Sequence, residues 1–205
     1  MAIHCDNPNT ISSEAEELFG IVSDGCGGFI EDLETVIHSL DSHWKGTDAV
    51  KNLAELASLY TEITKIMQNL ETTIVNLNNE AFLPLQKHIV DIKGMCTIGN
   101  ELEGKVKLRD SYIAVQTEGT QSITMAEIVK DIAKFEDFPE RFSSLVEDLN
   151  TTKEKLLKNW QEGPKRGELV EAFNKFENQI EAFAERLTAV RDNLIDISIY
   201  KQQLL

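Results

Sequence analysis

"LDSHWKGTDAV", residues 40–50, joins two long runs of helix-patterned sequence. Gly46 tolerates positive φ, and Thr47 or Asp48 can cap a following helix, so the stretch reads as an interhelical turn. Trp44 is surplus to that need, because a turn asks only for small or polar residues. Before the turn, apolar residues fall at Ala15, Phe19, Val22, Cys26, Phe29, Leu33, Val36, Leu40 and Trp44, in alternating steps of four and three. That spacing is a heptad seam. After the turn it resumes at Leu53, Leu56, Tyr60, Ile63, Met67, Leu70, Ile74, Leu77 and Ala81. Two long helices joined by so short a turn fold back antiparallel, as a helical hairpin.

Ser13 followed by Glu16 has capping-box spacing, which starts the first helix near Ser13 and gives it a length of roughly 45 Å at about 1.5 Å per residue. "DGCGGF", residues 24–29, puts three glycines inside it, yet the seam keeps phase through Cys26 and Phe29. The preferred reading is a continuous helix that lets another backbone approach closely, and the alternative is a local break. A phosphate-binding loop ranks third, since no strand precedes the glycines and no Gly-Lys-Ser/Thr follows. Pro84 should kink or restart the second helix, which continues through Leu85, Ile89 and Ile92 to a C-terminal cap at Gly94.

The helical period lapses over residues 94–121, an irregular linker in which "VKLRDSYIAV" has a composition that admits a short β-hairpin. It returns with a second capping-box spacing at Thr124 and Glu127, and with a fresh start or kink around Asp137, Pro139 and Glu140. Ile128, Ile132, Phe135, Phe138, Phe142, Leu145, Leu149, Leu156 and Trp160 form its seam. The turn "NWQEGPKRGEL" follows, and a last seam runs Leu169, Phe173, Phe176, Ile180, Phe183, Leu187, Val190, Leu194 and Ile197. Trp44 and Trp160 lie 116 residues apart, and that single offset pairs apolar with apolar on both sides of the turn: Phe19 with Phe135, Cys26 with Phe142, Leu40 with Leu156, Leu53 with Leu169, Ile74 with Val190. The register from Trp to the next helix is the same in both halves. The expected fold is therefore all-α: a first hairpin over 1–93, a linker over 94–121 and a second hairpin over 122–205, packed as an elongated four-helix bundle. Duplication in one chain predicts a monomer with pseudo-dimeric halves.

With 20 Lys plus Arg against 35 Asp plus Glu, the chain is a poor match for nucleic acid or for anionic membranes. No apolar run approaches the roughly 18 residues of a spanning helix, and the N-terminal residues lack the pattern of a secretory signal. Cys5, Cys26 and Cys96 are odd in number and widely spaced, which suits reduced thiols. The histidines His4, His38, His43 and His88 make no metal-binding spacing, and the carboxylates flank the seams as a solvated face would. No catalytic, cofactor-binding or metal-binding set emerges, so the expectation is a protein that is not an enzyme and carries no cofactor.

A hairpin of this length with Trp-x-Gly in its turn, here Trp44-Lys45-Gly46, resembles the WXG family of small leaderless substrates of bacterial type VII secretion. The pattern covers residues from about 10 to 93. Residues 124–205 are similar but depart from it, because Trp160-Gln161-Glu162-Gly163 holds one residue too many between Trp and Gly. The resemblance implies that the turns, through Trp44, Gly46, Trp160 and Gly163, contribute to a surface recognised by the secretion ATPase or by another helical secretion substrate. The alternative role for Trp44 is an aromatic plug at the end of the bundle. The family's Tyr-x-x-x-Asp/Glu tail signal is not matched: Tyr200 is followed four residues later by Leu204, and Phe173 with Glu177 has the spacing with Phe in place of Tyr. The resemblance further implies a cytoplasmic protein before leaderless export, secreted or at the cell surface, or a carrier for such a protein. Two other readings stay open: the helical targeting domain of an LXG-type toxin, and a cytosolic adaptor or toxin-neutralising bundle.

Overall fold

The computed structural model describes residues 4–94, 96–106, 124–163 and 165–202. The protein is all-α, a bundle of helical hairpins; among the described residues it adds a small two-stranded pairing and a single bridge at Trp44. In chain order the elements are β1 (His4–Cys5), α1 (Ile11–Gly20), a π-helical turn (Ile21–Cys26), α2 (Gly27–His43), α3 (Thr47–Leu77), a second π-helical turn (Asn78–Phe82), α4 (Leu83–Lys93), α5 (Met125–Phe135), α6 (Phe138–Asn159), β2 (Trp160–Glu162) and α7 (Arg166–Gln202). The candidate β-hairpin of the linker falls almost wholly on 107–123, outside the described residues.

Two compact units form, each from helical stretches on both sides of the linker. One comprises Met1–Gly27, Ile66–Val106 and Ser144–Gln179; the other comprises Gly28–Lys65, Lys107–Ser143 and Ile180–Leu205. Within the second unit, Phe29 of the first hairpin meets Phe138 and Phe142 of the second, with ring centroids 5.1 and 5.3 Å apart, and Phe142 meets Phe183 at 4.9 Å. Within the first unit, Phe82 meets Trp160 edge to face at 4.9 Å. A single hairpin leaves its seam in water; these contacts bury the seams of both.

All nine seam positions from Ala15 to Trp44 are buried, as are all nine from Leu53 to Ala81. Beyond Ala81 the structure departs from the expected pattern. Leu85 and Ile89 are only partly buried and Ile92 is 66% exposed, while Phe82, Leu83 and Gln86 take the interior positions. The π-helical turn is the reason, because its wider i→i+5 closure accommodates an extra residue and moves the buried face on by about one position. Pro84 then lies at the start of α4, directly after the π-helical turn, and Gly94 closes that helix at φ 73°.

The two capping boxes do not form. Thr10 precedes α1, and the Ser13 hydroxyl donates to the Thr10 carbonyl at 2.8 Å instead of capping. Thr124 precedes α5 without a side-chain cap, and Glu127 takes Lys130 at 2.7 Å. The glycine-rich stretch stays helical, with φ of −60° at Gly20 and −59° at Gly27. The close approach is made by a side chain and at one position only: a Cβ on Gly25 would lie 3.0 Å from Leu145 Cδ2, whereas Gly20, Gly27 and Gly28 face nothing within 4 Å.

Candidate functional site: two tryptophan turns

The turn at Trp44 belongs to the second unit. The Trp44 N–H still donates to Leu40 O at 2.9 Å, so the indole leaves from the last helical turn of α2 and is only 1% exposed. Gly46 has φ 123°, a conformation open to glycine and little else, and its carbonyl accepts from Val50 N–H at 3.0 Å to begin α3. The residue before the Trp is held from the other hairpin. Thr124 N–H, at the start of α5, donates to the His43 carbonyl at 3.1 Å. Asp131, buried on α5, lies 3.2 Å from His43 Nδ1 and accepts from Ser39 Oγ at 2.8 Å and from Lys134 Nζ at 3.2 Å.

The turn at Trp160 belongs to the first unit and follows the same plan. Trp160 is 1% exposed, and the residue before it is again fastened by the opposite hairpin. Asp6 N–H donates to the Asn159 carbonyl at 2.9 Å, and β1 pairs antiparallel with β2, Cys5 opposite Trp160 and His4 opposite Glu162 across a bulge. The Asn159 amide is bidentate with the Asn7 backbone, accepting from its N–H at 2.7 Å and donating to its carbonyl at 3.1 Å. It also donates to Glu14 Oε2 at 2.9 Å, and Glu14 is a buried carboxylate on α1. Gly163 has φ 156° and Lys165 has φ 67°; the extra residue makes this a wider turn, stitched by Arg166 Nε to Trp160 O at 2.8 Å.

Trp44 and Gly46 are thus brought together in one turn and Trp160 and Gly163 in the other, both indoles inward. What lies outward is Thr47 and Asp48 at the first turn, and Gln161 and Glu162 at the second, all exposed. Phe173 is a core residue, and Glu177 pairs with Lys153 at 2.5 Å. Asp131, Glu14, Asn159 and the 4–10 lead were not singled out from sequence. A signal existed, since His43 and Asn159 share the 116-residue offset, but their partners, from Thr124 and Asp131 to Asp6 and Asn7, lie far along the chain, beyond any local pattern.

Burial pushes the Cys26 thiol up to about 12 and raises that of Cys5 above its ordinary value. Among the described residues no cluster of His, Cys, Asp and Glu is placed to hold a metal ion, and no helix is long and apolar enough to cross a membrane. The fold and its turns define an all-α hairpin bundle with a buried tryptophan in each turn. No protein-family model, no curated protein and no solved structure matches the chain.

Proposed function

We propose that this chain is a non-enzymatic interaction protein, a tandem form of the WXG-like hairpins of type VII secretion, exported without a leader or acting as the carrier of an exported helical partner. One observation supports this reading above the others: two hairpins of one chain each turn at a buried Trp, in the same register to the next helix, with the residue before the Trp fastened by the opposite hairpin. Burial of both indoles supports a role for Trp44 and Trp160 in holding the turn in shape. Contact with a secretion ATPase then falls to the outer residues, Thr47 and Asp48 at one turn and Gln161 and Glu162 at the other.

The test is expression in a bacterium with a type VII system, with and without its membrane ATPase. Export that depends on the ATPase is the expected result; export unchanged in its absence overturns the proposal. Asp48→Arg combined with Thr47→Arg should weaken capture of the ATPase domain while helicity by circular dichroism stays native.

A further inference from the structure

Residues 97–106, "TIGNELEGKV", run without secondary structure through the first unit, and side chains, not backbone, hold them there. No backbone–backbone hydrogen bond ties this stretch to a described residue. Its peptide groups are met one after another by amides and carboxylates projecting from helices. Gly99 N–H donates to Gln86 Oε1 at 3.0 Å, and Asn100 N–H donates to Glu16 Oε1 at 2.9 Å. Asn79 is bidentate with Leu102, accepting from its N–H at 2.9 Å and donating to its carbonyl at 2.8 Å. Lys105 and Val106 N–H groups both donate to the buried Glu71 carboxylate, at 2.8 and 3.0 Å, and Gln68 Nε2 donates to Val106 O at 3.2 Å. Side-chain amides that satisfy an N–H and a C=O together read the backbone of an extended segment whatever its sequence.

Sequence is read at four places. A Cβ on Gly99 would fall 2.4 Å from Ser12 Cβ, so that position has no room for a side chain; one on Gly104 would fall 3.1 Å from Glu71 Oε2, so the Glu71 carboxylate would have to give by a few tenths of an ångström and glycine fits best there. Leu102 is buried to 9% exposure. Lys105 Nζ sits 3.1 Å from Asp24 Oδ1 and over the Phe19 ring at 5.6 Å, a solvent-exposed ion pair with a cation–π contact.

Two further features separate this face from a plain loop anchor. Asn78 and Asn79 sit on the π-helical turn, a distortion a helix keeps at a cost in backbone geometry. Asn78 is fully buried and donates to Asn100 O at 2.8 Å, but its Oδ1 has no hydrogen-bond partner, so the resident segment leaves one acceptor of the face unmet.

We propose that the face lined by Gln68, Glu71, Asn78, Asn79 and Gln86 is a peptide-binding groove, that residues 97–106 are its tethered occupant, and that it accepts an extended segment of a partner protein with the pattern Gly-x-x-Leu-x-Gly-Lys. The inference does not rest on the secretion reading. Displacement is feasible because the occupant is held by polar contacts that water or a competing peptide can replace, with one buried apolar side chain as its anchor.

The test uses the full chain and a fluorescein-labelled peptide of sequence TIGNELEGKV, read by anisotropy. In wild type the tether competes, so the apparent affinity is reduced by the fraction of molecules with an open groove. Leu102→Asp loosens the tether and should tighten peptide binding by about tenfold or more, and adding Asn79→Ala should abolish it. A peptide with Val at the place of Gly99 should not bind. Absence of binding to a Leu102→Asp chain with native circular dichroism overturns the proposal. Should Leu102→Asp unfold, hydrogen exchange on wild type decides. Amides of Gly99, Leu102 and Val106 that open while those of Ile74 and Leu77 stay protected support a displaceable segment, and exchange only through global unfolding overturns it.

Discussion

The two tryptophan turns solve one problem with different chemistry. At Trp44 the turn is tight, centred on Gly46, and the preceding His43 is fastened by a buried carboxylate, Asp131, together with a backbone bond from Thr124. At Trp160 the turn is longer by a residue, and both indole-bearing residues take part in backbone pairing, Trp44 in a single bridge and Trp160 in the β1–β2 ladder; the residue before Trp160 is an amide, Asn159, saturated by Asn7, Thr10 and Glu14. In both, the group that does the fastening comes from the start of the other hairpin's first helix. The shared plan lies in where the fastening is made, and the side chains that make it were free to diverge. A hydrogen bond constrains position and donor–acceptor sense, and several residue types meet the same constraint.

The largest test of equivalence is removal of the indoles. Trp44→Ala and Trp160→Ala should each cost about 3–5 kcal/mol, since both side chains are fully buried, with midpoints read from guanidinium unfolding. Losses of similar size support two copies of one plug; a near-neutral Trp44→Ala would make the Trp160 turn the only structural one.

Next come the fastenings. Asn159→Ala removes the bonds to Asn7 and Thr10 and leaves the Glu14 carboxylate buried with Thr10 as its remaining partner, for about 3 kcal/mol. Asp131→Ala frees Ser39 and His43, of which His43 is partly exposed to water, for about 2 kcal/mol. Urea titrations of the two variants give that difference directly, and the reverse order would mean the charged turn is the tighter one.

A third contrast concerns the core positions paired by the offset, Cys26 and Phe142. The folded Cys26 thiol titrates near 12 against an ordinary value of 9.0, so in the window between them the unfolded chain ionises and the folded chain does not. Stability contributed by Cys26 is therefore whole below pH 9 and falls as pH rises toward 12. Comparing urea midpoints of wild type and Cys26→Ala at neutral pH and near the upper end of that window should show the wild type losing more. Equal losses would mean the thiol is not buried. The ring at Phe142 gives the second half no such sensitivity.

The smallest effect separates the glycine-rich first helix from its counterpart. Gly20 and Gly27 face open space in helical conformation, where the offset places Glu136 and Ser143 in the second half. Gly20→Ala and Gly27→Ala should each stabilise by up to about 1 kcal/mol, seen as a raised thermal midpoint. Gly25→Ala should gain less, because Leu145 must shift.

How much of this could be read from the sequence follows from the range of the forces. Heptad spacing reports which helix face is buried, and all nine seam positions from Ala15 to Trp44 and all nine from Leu53 to Ala81 lie inside, beside further core residues such as Leu18, Ile37 and Leu59. It failed at Leu85, Ile89 and Ile92, where the π-helical turn at Asn78–Phe82 shifts the phase; Pro84 marked a disturbance there but not the π form it takes, and in the second half Leu145 and Ile197 are only partly buried. The capping boxes failed because Ser13 and Thr124 had the right spacing but other geometry prevailed. The turns themselves were legible from Trp, Gly and register. Their fastenings were not, because a polar residue beside a Trp takes its meaning from a partner about a hundred positions away.

The claim that both turns are fastened alike, each by the opposite hairpin, rests on two backbone amides: Asp6 N–H on Asn159 O at 2.9 Å and Thr124 N–H on His43 O at 3.1 Å. Amide hydrogen exchange by nuclear magnetic resonance reads both in one sample. Both amides should exchange slowly, and each should lose its protection when the Trp of its own turn is replaced by Ala while the other keeps its own. Exchange of either at the rate of an unstructured peptide would contradict the account.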